Sequence, residues 1–326
     1  MILRSSARRV AHALMVALLA VLFAIALVHL DLARAAVALA TARPEWLALA
    51  VSCYLAILLL WAWQWHLLAP RRPGGSMREM LRVVAATSSV LNTVPMLAGE
   101  AAGIAFLVTL AGLSRAAAVS VLAMDQLLVG IAKLGVLASA AVWAPLPVWM
   151  TRGVLALVGG VSLLGALLLL VAWGPRGVAR RVAPLLPAPV VRALGALRPA
   201  LAPLRSPPRG GGALALALLK KLVEMLAIVC VQRAFGLALP FGSAVLTLAA
   251  LNLATLLPIV PGNVGVYEAA VVFAYTSLGV PPERALAVAL VQHLCAFLAF
   301  AGPGVLATAT SRWGSEAARR RDEGTR

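Results

Sequence analysis

The chain has 326 residues, of which 63% are hydrophobic and 12% are charged, and its mean hydropathy is +0.98. Because soluble domains carry about one-quarter charged residues, this composition excludes a soluble globular fold and predicts a single membrane domain over residues 1–326. The net charge of +17 comes mainly from arginines in short blocks between apolar segments. That pattern is typical of membrane topology signals and not of a nucleic-acid-binding surface. Phosphate recognition by selected arginines is the alternative.

Six apolar segments are long enough to cross about 30 Å of hydrocarbon as helices. In chain order they are Val10–Leu30, Trp46–Leu68, Ala116–Val142, Gly153–Trp173, Ala213–Gly236 and Arg284–Thr308. The first exceeds the length of a signal-peptide core, so we expect it to be retained as a helix. Cleavage after the Ala33-Arg34-Ala35 sequence is the alternative.

Two further apolar segments, Val83–Leu110 and Phe241–Leu278, are each too long for one span and are interrupted near the middle. Proline removes a backbone donor and clashes with the preceding turn. Each segment is therefore predicted to be a broken or re-entrant hairpin. The predicted breakpoint residues are Pro95 and Gly99 in the first segment and Pro258, Pro261, Gly262 and Gly265 in the second.

Nineteen of the 25 arginines lie at the N-terminus, in residues 71–82, in residues 176–209 and after residue 311. The positive-inside rule places these four regions, and hence both termini, in the cytoplasm. Each hairpin must then return to the face from which it enters. The predicted fold is an all-α polytopic bundle of about six spans and two hairpins, arranged as an inverted repeat.

The first repeat covers residues 10–145 and the second covers residues 151–310. The second repeat includes a Pro- and Arg-rich cytoplasmic linker, residues 174–210, and is followed by a cytoplasmic tail, residues 311–326. The linker is expected to be either an amphipathic helix on anionic headgroups or a solvated segment. We expect the protein to be a multi-pass protein of the inner (cytoplasmic) membrane.

Acidic residues within the apolar segments are the first candidates for function. Each costs about 3 kcal/mol at the bilayer centre, so a role inside the bundle is the default expectation. His293 follows Glu268 by the same 25 residues that separate Asp125 from Glu100. The predicted substrate or proton pathway consists of Glu100, Glu268, Asp125, Glu224, Lys133 and His293.

Structural roles compete with this hypothesis. Glu100 and Glu268 each follow a breakpoint, where a carboxylate could instead cap the next helix. Glu224 could form a local ion pair with Lys220 or Lys221. Asp125 and Lys133 are separated by about 80° around a helix and are expected to face different partners.

No metal, cofactor or catalytic site is predicted. The three cysteines, Cys53, Cys230 and Cys295, have no paired spacing, and the four histidines are widely separated. No paired aspartates, His-Glu metal motif or Ser-Lys dyad stands out, so the protein is not expected to be an enzyme. Trp61, Trp63 and Trp65 are interpreted as an interfacial aromatic belt without a substrate role.

The sequence Pro-Ile-Val-Pro-Gly-Asn-Val-Gly-Val-Tyr-Glu, which ends at Glu268, resembles a motif of the lysylphosphatidylglycerol synthase transmembrane region, or flippase-like, family. Asn263 replaces the second glycine of that motif. A first family motif is matched by Pro95, Gly99 and Glu100 without the arginine that often follows it. Asp125-Gln126 stands where the family often has Glu-Arg. The resemblance covers almost the whole chain.

The resemblance implies a stand-alone flippase-like protein, since the tail after Thr308 is too short for an aminoacyltransferase domain. The first functional hypothesis is translocation of a lipid or lipid-linked headgroup across the inner membrane, with a phospholipid, hopanoid or polyprenyl-linked glycolipid as cargo. The alternative is a non-transporting scaffold for a lipid-modifying or envelope-biosynthesis enzyme, docked on the arginine-rich linker and tail.

Overall fold

A computed structural model of the chain describes residues 40, 42–71, 75–93, 98–143, 148–173, 188–256 and 261–324. The predicted first span, Val10–Leu30, lies outside the described residues. The described part contains ten α-helices. They are α1 (Pro44–Leu68), α2 (Met77–Thr93), α3 (Ala98–Thr109), α4 (Arg115–Trp143), α5 (Val148–Trp173), α6 (Ala188–Ala200), α7 (Pro207–Ala234), α8 (Phe241–Ala254), α9 (Val266–Thr276) and α10 (Pro282–Gly324).

Four of the helices are long and apolar enough to cross a membrane, which confirms a polytopic membrane bundle. The spanning parts are Pro44–Leu68, Arg115–Val142, Met150–Trp173 and Pro282–Gly304. Each coincides with a predicted span. The predicted span Ala213–Gly236 lies in α7, which is long enough to cross a bilayer but carries Lys220, Lys221 and Glu224 near its middle.

Several helices extend beyond the apolar segments that predicted them. Helix α2 begins at Met77, before the predicted Val83, and α7 begins at Pro207, before the predicted Ala213. A proline at the first helical position lacks only a donor that would have no partner there. Helix α10 continues to Gly324, through most of the predicted tail, where alanine, glutamate and arginine favour a helix.

The predicted linker is partly helical. Helix α6 packs against α4 and α5, and a short 3-10 turn, Ala202–Arg205, connects it to α7. Leu201 and Pro203 are buried in this region. The segment from Ala188 onward is therefore docked on the bundle and is not a solvated linker.

Helices α1 and α7 form an antiparallel pair with the most extensive packing in the described structure. At one end the backbone N–H of Arg43 donates to the Ala234 carbonyl at 2.9 Å. At the other end Arg209 donates to the Leu67 carbonyl through Nη2 at 2.6 Å and Nε at 3.0 Å, and to the Ala69 carbonyl at 2.5 Å.

Arginine side chains also donate to carbonyls at the C-terminal ends of α5 and α7. Arg205 donates to the Ala172 carbonyl at the end of α5, and Arg284 donates to the Phe235 carbonyl after α7 at 2.5 Å. Carbonyls in the last turn of a helix have no partner within that helix, and a cation there also complements the helix dipole. These arginines therefore stabilise helix ends in addition to any effect on topology.

The core divides along the length of the α1–α7 pair. The N-terminal half of α1 and the C-terminal half of α7 pack with α8, α9 and α10 around Tyr54 and Tyr275. The C-terminal half of α1 and the N-terminal half of α7 pack with α2, α3 and α4 around Trp65 and Leu107. A third cluster joins α4, α5, α7 and α8.

Candidate functional site

The second predicted breakpoint is a short run of left-handed backbone between α8 and α9. Gly262, Asn263 and Gly265 have φ values of 60°, 56° and 84°. Glycine adopts such values without a steric penalty. The side chain of Pro261 and all of Pro258 lie outside the described residues. The run redirects the chain so that α9 begins at Val266.

Glu268 lies in the first turn of α9 and binds two partners. Its Oε2 atom accepts the backbone N–H of Gly265 at 2.6 Å, so the capping role is present. Its Oε1 atom lies 2.6 Å from Nδ1 of His293 on α10. Both side chains are only 13% exposed, which makes this a largely buried acid–base pair. Capping therefore leaves one carboxylate oxygen free for a second interaction.

A polar network extends from this pair into the core. The Tyr267 ring stacks on the His293 ring, with centroids 4.3 Å apart. Tyr267 OH accepts a hydrogen bond from Gln292 Nε2 at 3.0 Å. Gln232 Nε2 in turn donates to Tyr275 OH at 3.2 Å and to Ser243 Oγ at 2.9 Å. The buried polar groups around the second hairpin are thus largely satisfied by one another.

The first hairpin differs in its polar contacts. Gly99 lies so close to α2 that a Cβ atom would overlap Leu91. Glu100 follows in the first turn of α3, but its Oε2 atom is buried with no hydrogen-bond partner among the described residues. Pro95 lies outside the described residues. Glu268 Oε2 accepts a backbone N–H, whereas Glu100 Oε2 accepts no hydrogen bond from the described residues.

The two hairpins approach each other at their tips. A Cβ atom on Gly262 would lie 3.0 Å from the backbone oxygen of Asn92, near the end of α2. Helix α2 also contacts α10, where Ser89 Oγ donates to the Ala301 carbonyl at 2.6 Å. The breakpoints of the two halves of the chain are therefore brought to a common region.

Charged side chains collect midway along α4 and α7. Asp125 Oδ1 lies 3.8 Å from Lys220 Nζ, and both side chains are buried. Lys221 Nζ donates to Glu224 Oε2 at 2.7 Å and to Asn252 Oδ1 at 3.2 Å. Asp125 faces Lys220, whereas Lys133 lies within electrostatic range of Lys221 and Glu224. Lys221, rather than Lys220, forms the local pair with Glu224.

The aromatic-belt interpretation was wrong for two of the three tryptophans. Trp65 is 0% exposed, and its ring meets the ring of Trp61 edge to face at 5.3 Å. Lys220 Nζ lies 5.7 Å from the centre of the Trp61 ring. Only Trp63, at 52% exposure, points outward. Positions 61 and 65 are one helical turn apart and share a face, whereas position 63 lies on the opposite face.

Sequence reasoning also missed two buried glutamines, Gln64 on α1 and Gln232 on α7. A signal was present, since Gln64 precedes Glu100 by the same number of residues as Gln232 precedes Glu268. Gln232 is bonded to Ser243 and Tyr275. Neither side-chain polar atom of Gln64 has a partner among the described residues.

The family model of the lysylphosphatidylglycerol synthase TM region matches residues 11–304. The chain belongs to this family. The match includes both hairpins, the α1–α7 pair and every candidate site residue described above, and it confirms the resemblance inferred from the two motifs. No match was found among curated proteins or among solved structures.

Proposed function

We propose that this family member translocates a lipid or a lipid-linked headgroup across the cytoplasmic membrane, by rocking of two inverted halves about a central polar region. The observation that carries the proposal is the meeting of two broken hairpins, each with a glutamate just after its break. Broken helices inside a membrane are tolerated where they are buried in protein or line a polar cavity. In transporters such breaks form the substrate site.

The packing of the helices supports an inverted repeat. Helix α2 packs on α10, as α8 packs on α4, and α3 packs on α4, as α9 packs on α10. Helix α1 contacts α2 and α10, as α7 contacts α8 and α4. If α1, α2, α3 and α4 are matched in order to α7, α8, α9 and α10, each of these contacts has a counterpart between the matched helices. In the same exchange Glu100 corresponds to Glu268 and Asp125 to His293.

The ends of the hairpins support the re-entrant arrangement. A cavity of about 290 Å³ is lined both by Ser76 and Met80, at the start of α2, and by Ala111 and Leu113, just after α3. Arg284, at the start of α10, donates to the Phe235 carbonyl shortly before α8, so the two ends of the second hairpin lie close together. These contacts support hairpins that each begin and end at one end of the bundle.

The placement of charge supports a transport pathway over a purely structural bundle. Asp125, Lys220 and Glu224 lie near the middle of their helices, where charges are costly unless paired or functional. The Asp125–Lys220 pair also joins a helix of one half to a helix of the other. Such a pair can be broken and remade as the two halves move.

The test is transport in proteoliposomes that contain the purified full chain and fluorescently labelled phospholipids. Addition of dithionite to the outside measures how much inner-leaflet label reaches the outer leaflet. We expect Glu268→Gln and Glu100→Gln each to slow translocation at least tenfold, with Trp63→Phe as a matched control. Wild-type vesicles no faster than protein-free vesicles, or full activity in both glutamine variants, would contradict the proposal.

A scaffold for a lipid-modifying enzyme is the competing proposal. Its docking surface would need free arginines, and Arg192 on α6 is exposed. Arg205 and Arg209 instead bond helix-end carbonyls, so part of the linker charge serves the fold. Deletion of the chain after Arg312 separates the two proposals. Loss of a partner's activity with intact flipping in vesicles would favour the scaffold.

A further inference from the structure

The Glu268–His293 pair differs in kind from the other charged side-chain pairs of the described residues. The other two are lysine–carboxylate pairs, Asp125–Lys220 and Lys221–Glu224. Ammonium groups and carboxylates ordinarily keep their charges between about pH 5 and pH 8, whereas histidine ordinarily changes its charge in that range. A single proton can therefore convert the Glu268–His293 pair from a net negative state to a neutral one.

The contact within this pair fixes the tautomer of the His293 ring. Nδ1 of His293 and Oε1 of Glu268 are 2.6 Å apart, a hydrogen-bond distance at which one of the two atoms carries a proton. Imidazole is ordinarily a stronger base than a carboxylate, so the proton lies on Nδ1. Oε2 of Glu268 also accepts a hydrogen bond, from Gly265, as expected of an ionised carboxylate. In the neutral ring the lone pair therefore lies on Nε2.

The Nε2 atom of His293 is free to take up a further proton. It makes no hydrogen bond to a described residue. It is also absent from the fully buried polar atoms that lack a partner, so it keeps some contact with the surroundings of the protein. Glu268 thus holds one face of the ring in place and leaves the basic nitrogen on the other side open.

The charge on Glu268 has no other counter-ion among the described residues around it. The titratable and charged groups near the pair are Tyr267 of α9, Tyr54 of α1, Cys295 of α10, and Glu224 and Lys221 of α7. Helix α2 contributes the neutral Ser89 to its contact with α10. Glu224 and Lys221 are bonded to each other at 2.7 Å. A largely buried carboxylate without a counter-charge is costly, and a proton on His293 supplies that counter-charge.

We propose that the Glu268–His293 pair is a proton-binding site whose proton crosses the membrane together with the translocated lipid. The proton bonds to Nε2 of His293 from one side of the membrane and leaves the same atom toward the other side, after the two halves have moved. Glu268 lies in the first turn of α9, just after the break whose Gly262 approaches the first hairpin. The charge of the pair therefore acts where the two halves meet. The coupling rests on the proposed function, because it requires translocation.

The other half of the described structure has no equivalent site. The residues matched to Glu268 and His293 are Glu100 and Asp125, which are both carboxylates. Asp125 faces Lys220, whose charge ordinarily does not change near neutral pH. We therefore expect one proton for each translocated lipid.

Proton binding is tested by NMR on the purified full chain in detergent, with ¹⁵N in the histidine rings, from about pH 5 to about pH 8. The nitrogen shifts distinguish a protonated ring nitrogen from a bare one, and His293→Asn identifies the His293 signal by its disappearance. We expect Nδ1 alone to be protonated at the alkaline end and both nitrogens at the acidic end. A neutral ring protonated on Nε2, or a ring whose protonation does not change over this range, would overturn the proposal.

Asparagine is the informative replacement for His293. Its amide nitrogen can take the place of Nδ1 and donate to Glu268, but it cannot take up a proton. His293→Asn should therefore melt near the wild-type temperature. The matched control is His66→Asn, which replaces an exposed histidine in the last turn of α1.

Coupling is tested in proteoliposomes with an imposed pH gradient of about one unit and the membrane potential held at zero by potassium and valinomycin. The probes are fluorescent phosphatidylglycerol and phosphatidylethanolamine, in separate vesicles, and dithionite measures the fraction in the outer leaflet. With one proton per lipid, a pH unit shifts the steady-state ratio between the leaflets about tenfold. Wild type and His66→Asn should show this shift, and its direction should reverse with the gradient. His293→Asn should show none.

The two experiments can fail separately. A wild-type distribution that ignores the pH gradient, or a shift that survives in His293→Asn, would contradict the coupling and leave the proposed function standing. A His293 ring that titrates as expected in a protein that does not translocate lipid would contradict the proposed function, and the coupling with it, but would support the proton site.

Discussion

Nδ1 of His293 lies 2.6 Å from Oε1 of Glu268, and the other oxygen of the same carboxylate accepts the backbone N–H of Gly265 at 2.6 Å. One side chain therefore fixes the start of α9 and also holds α9 against α10. The two interactions use different atoms, so substitutions can separate the cap from the charge.

Glu268→Gln should preserve the fold and impair transport. Glutamine retains an oxygen that can accept the Gly265 N–H but removes the negative charge that faces His293. Glu268→Ala removes both interactions and should cost about 1 kcal/mol more through loss of the cap. Thermal melting in detergent measures the first effect and the vesicle assay the second. If the glutamine variant transports as fast as the wild type and only the alanine variant is destabilised, Glu268 acts as a helix cap and has no role in transport.

Asp125 and Lys220 should show strong energetic coupling. Removal of one member of a buried pair leaves an uncompensated charge and costs about 3–5 kcal/mol, whereas replacement of both with apolar residues is often nearly neutral. We therefore expect Asp125→Leu and Lys220→Met each to lower the melting temperature sharply, and the double variant to recover most of the loss. Lys221→Met, at the more exposed pair with Glu224, provides the comparison. Additive effects of the two substitutions would show that the pair is not coupled.

Gly304 should not tolerate a side chain, whereas Gly302 on the same helix should tolerate one. A Cβ atom on Gly304 would overlap Ser89 Oγ and the Ala85 carbonyl of α2, but a Cβ atom on Gly302 would meet nothing within 4 Å. Gly304→Ala should separate α2 from α10 and lower the melting temperature. Gly302→Ala should be neutral or should stabilise by about 0.5–1 kcal/mol, since alanine favours a helix. Equal effects of the two substitutions would contradict the close packing of α2 on α10.

The tip of the second hairpin offers a test of its contact with the first. Gly265→Ala introduces only backbone strain, because φ is positive there and the added Cβ atom would meet nothing within 4 Å. Gly262→Ala combines strain at its own positive φ with a close contact between the added Cβ atom and the Asn92 carbonyl. We expect Gly262→Ala to lower the transport rate more than Gly265→Ala does, even if the two variants lose the same amount of stability. A larger effect at Gly265 would indicate that the contact between the tips is unimportant.

The four confirmed spans could be predicted from the sequence because the bilayer demands uninterrupted apolar length. The ends of helices could not, because a helix continues into water wherever its residues allow, as α2 does from Met77 and α7 from Pro207. Apolar segments mark the limits of the hydrocarbon and not the limits of the helices.

The candidate site was predictable only in its local features. Proline and glycine marked the breakpoint at Gly262 and Gly265. The partner of Asp125 was not predictable, because it depends on which face of α7 packs against α4. The burial of Trp65 was not predicted, although Trp65 shares a helical face with Trp61.

The arginine contacts at the helix ends define an axis within the bundle. Arg209 fastens the start of α7 to the end of α1, and at the opposite face the Arg43 backbone is bonded to Ala234. At the same end, Arg284 in the first turn of α10 donates to the Phe235 carbonyl just after α7. Helices α1 and α7 come from different halves of the chain, yet they are fixed to each other at both ends. A rocking motion would therefore turn about this pair as its pivot, with the largest displacements at the outlying helices.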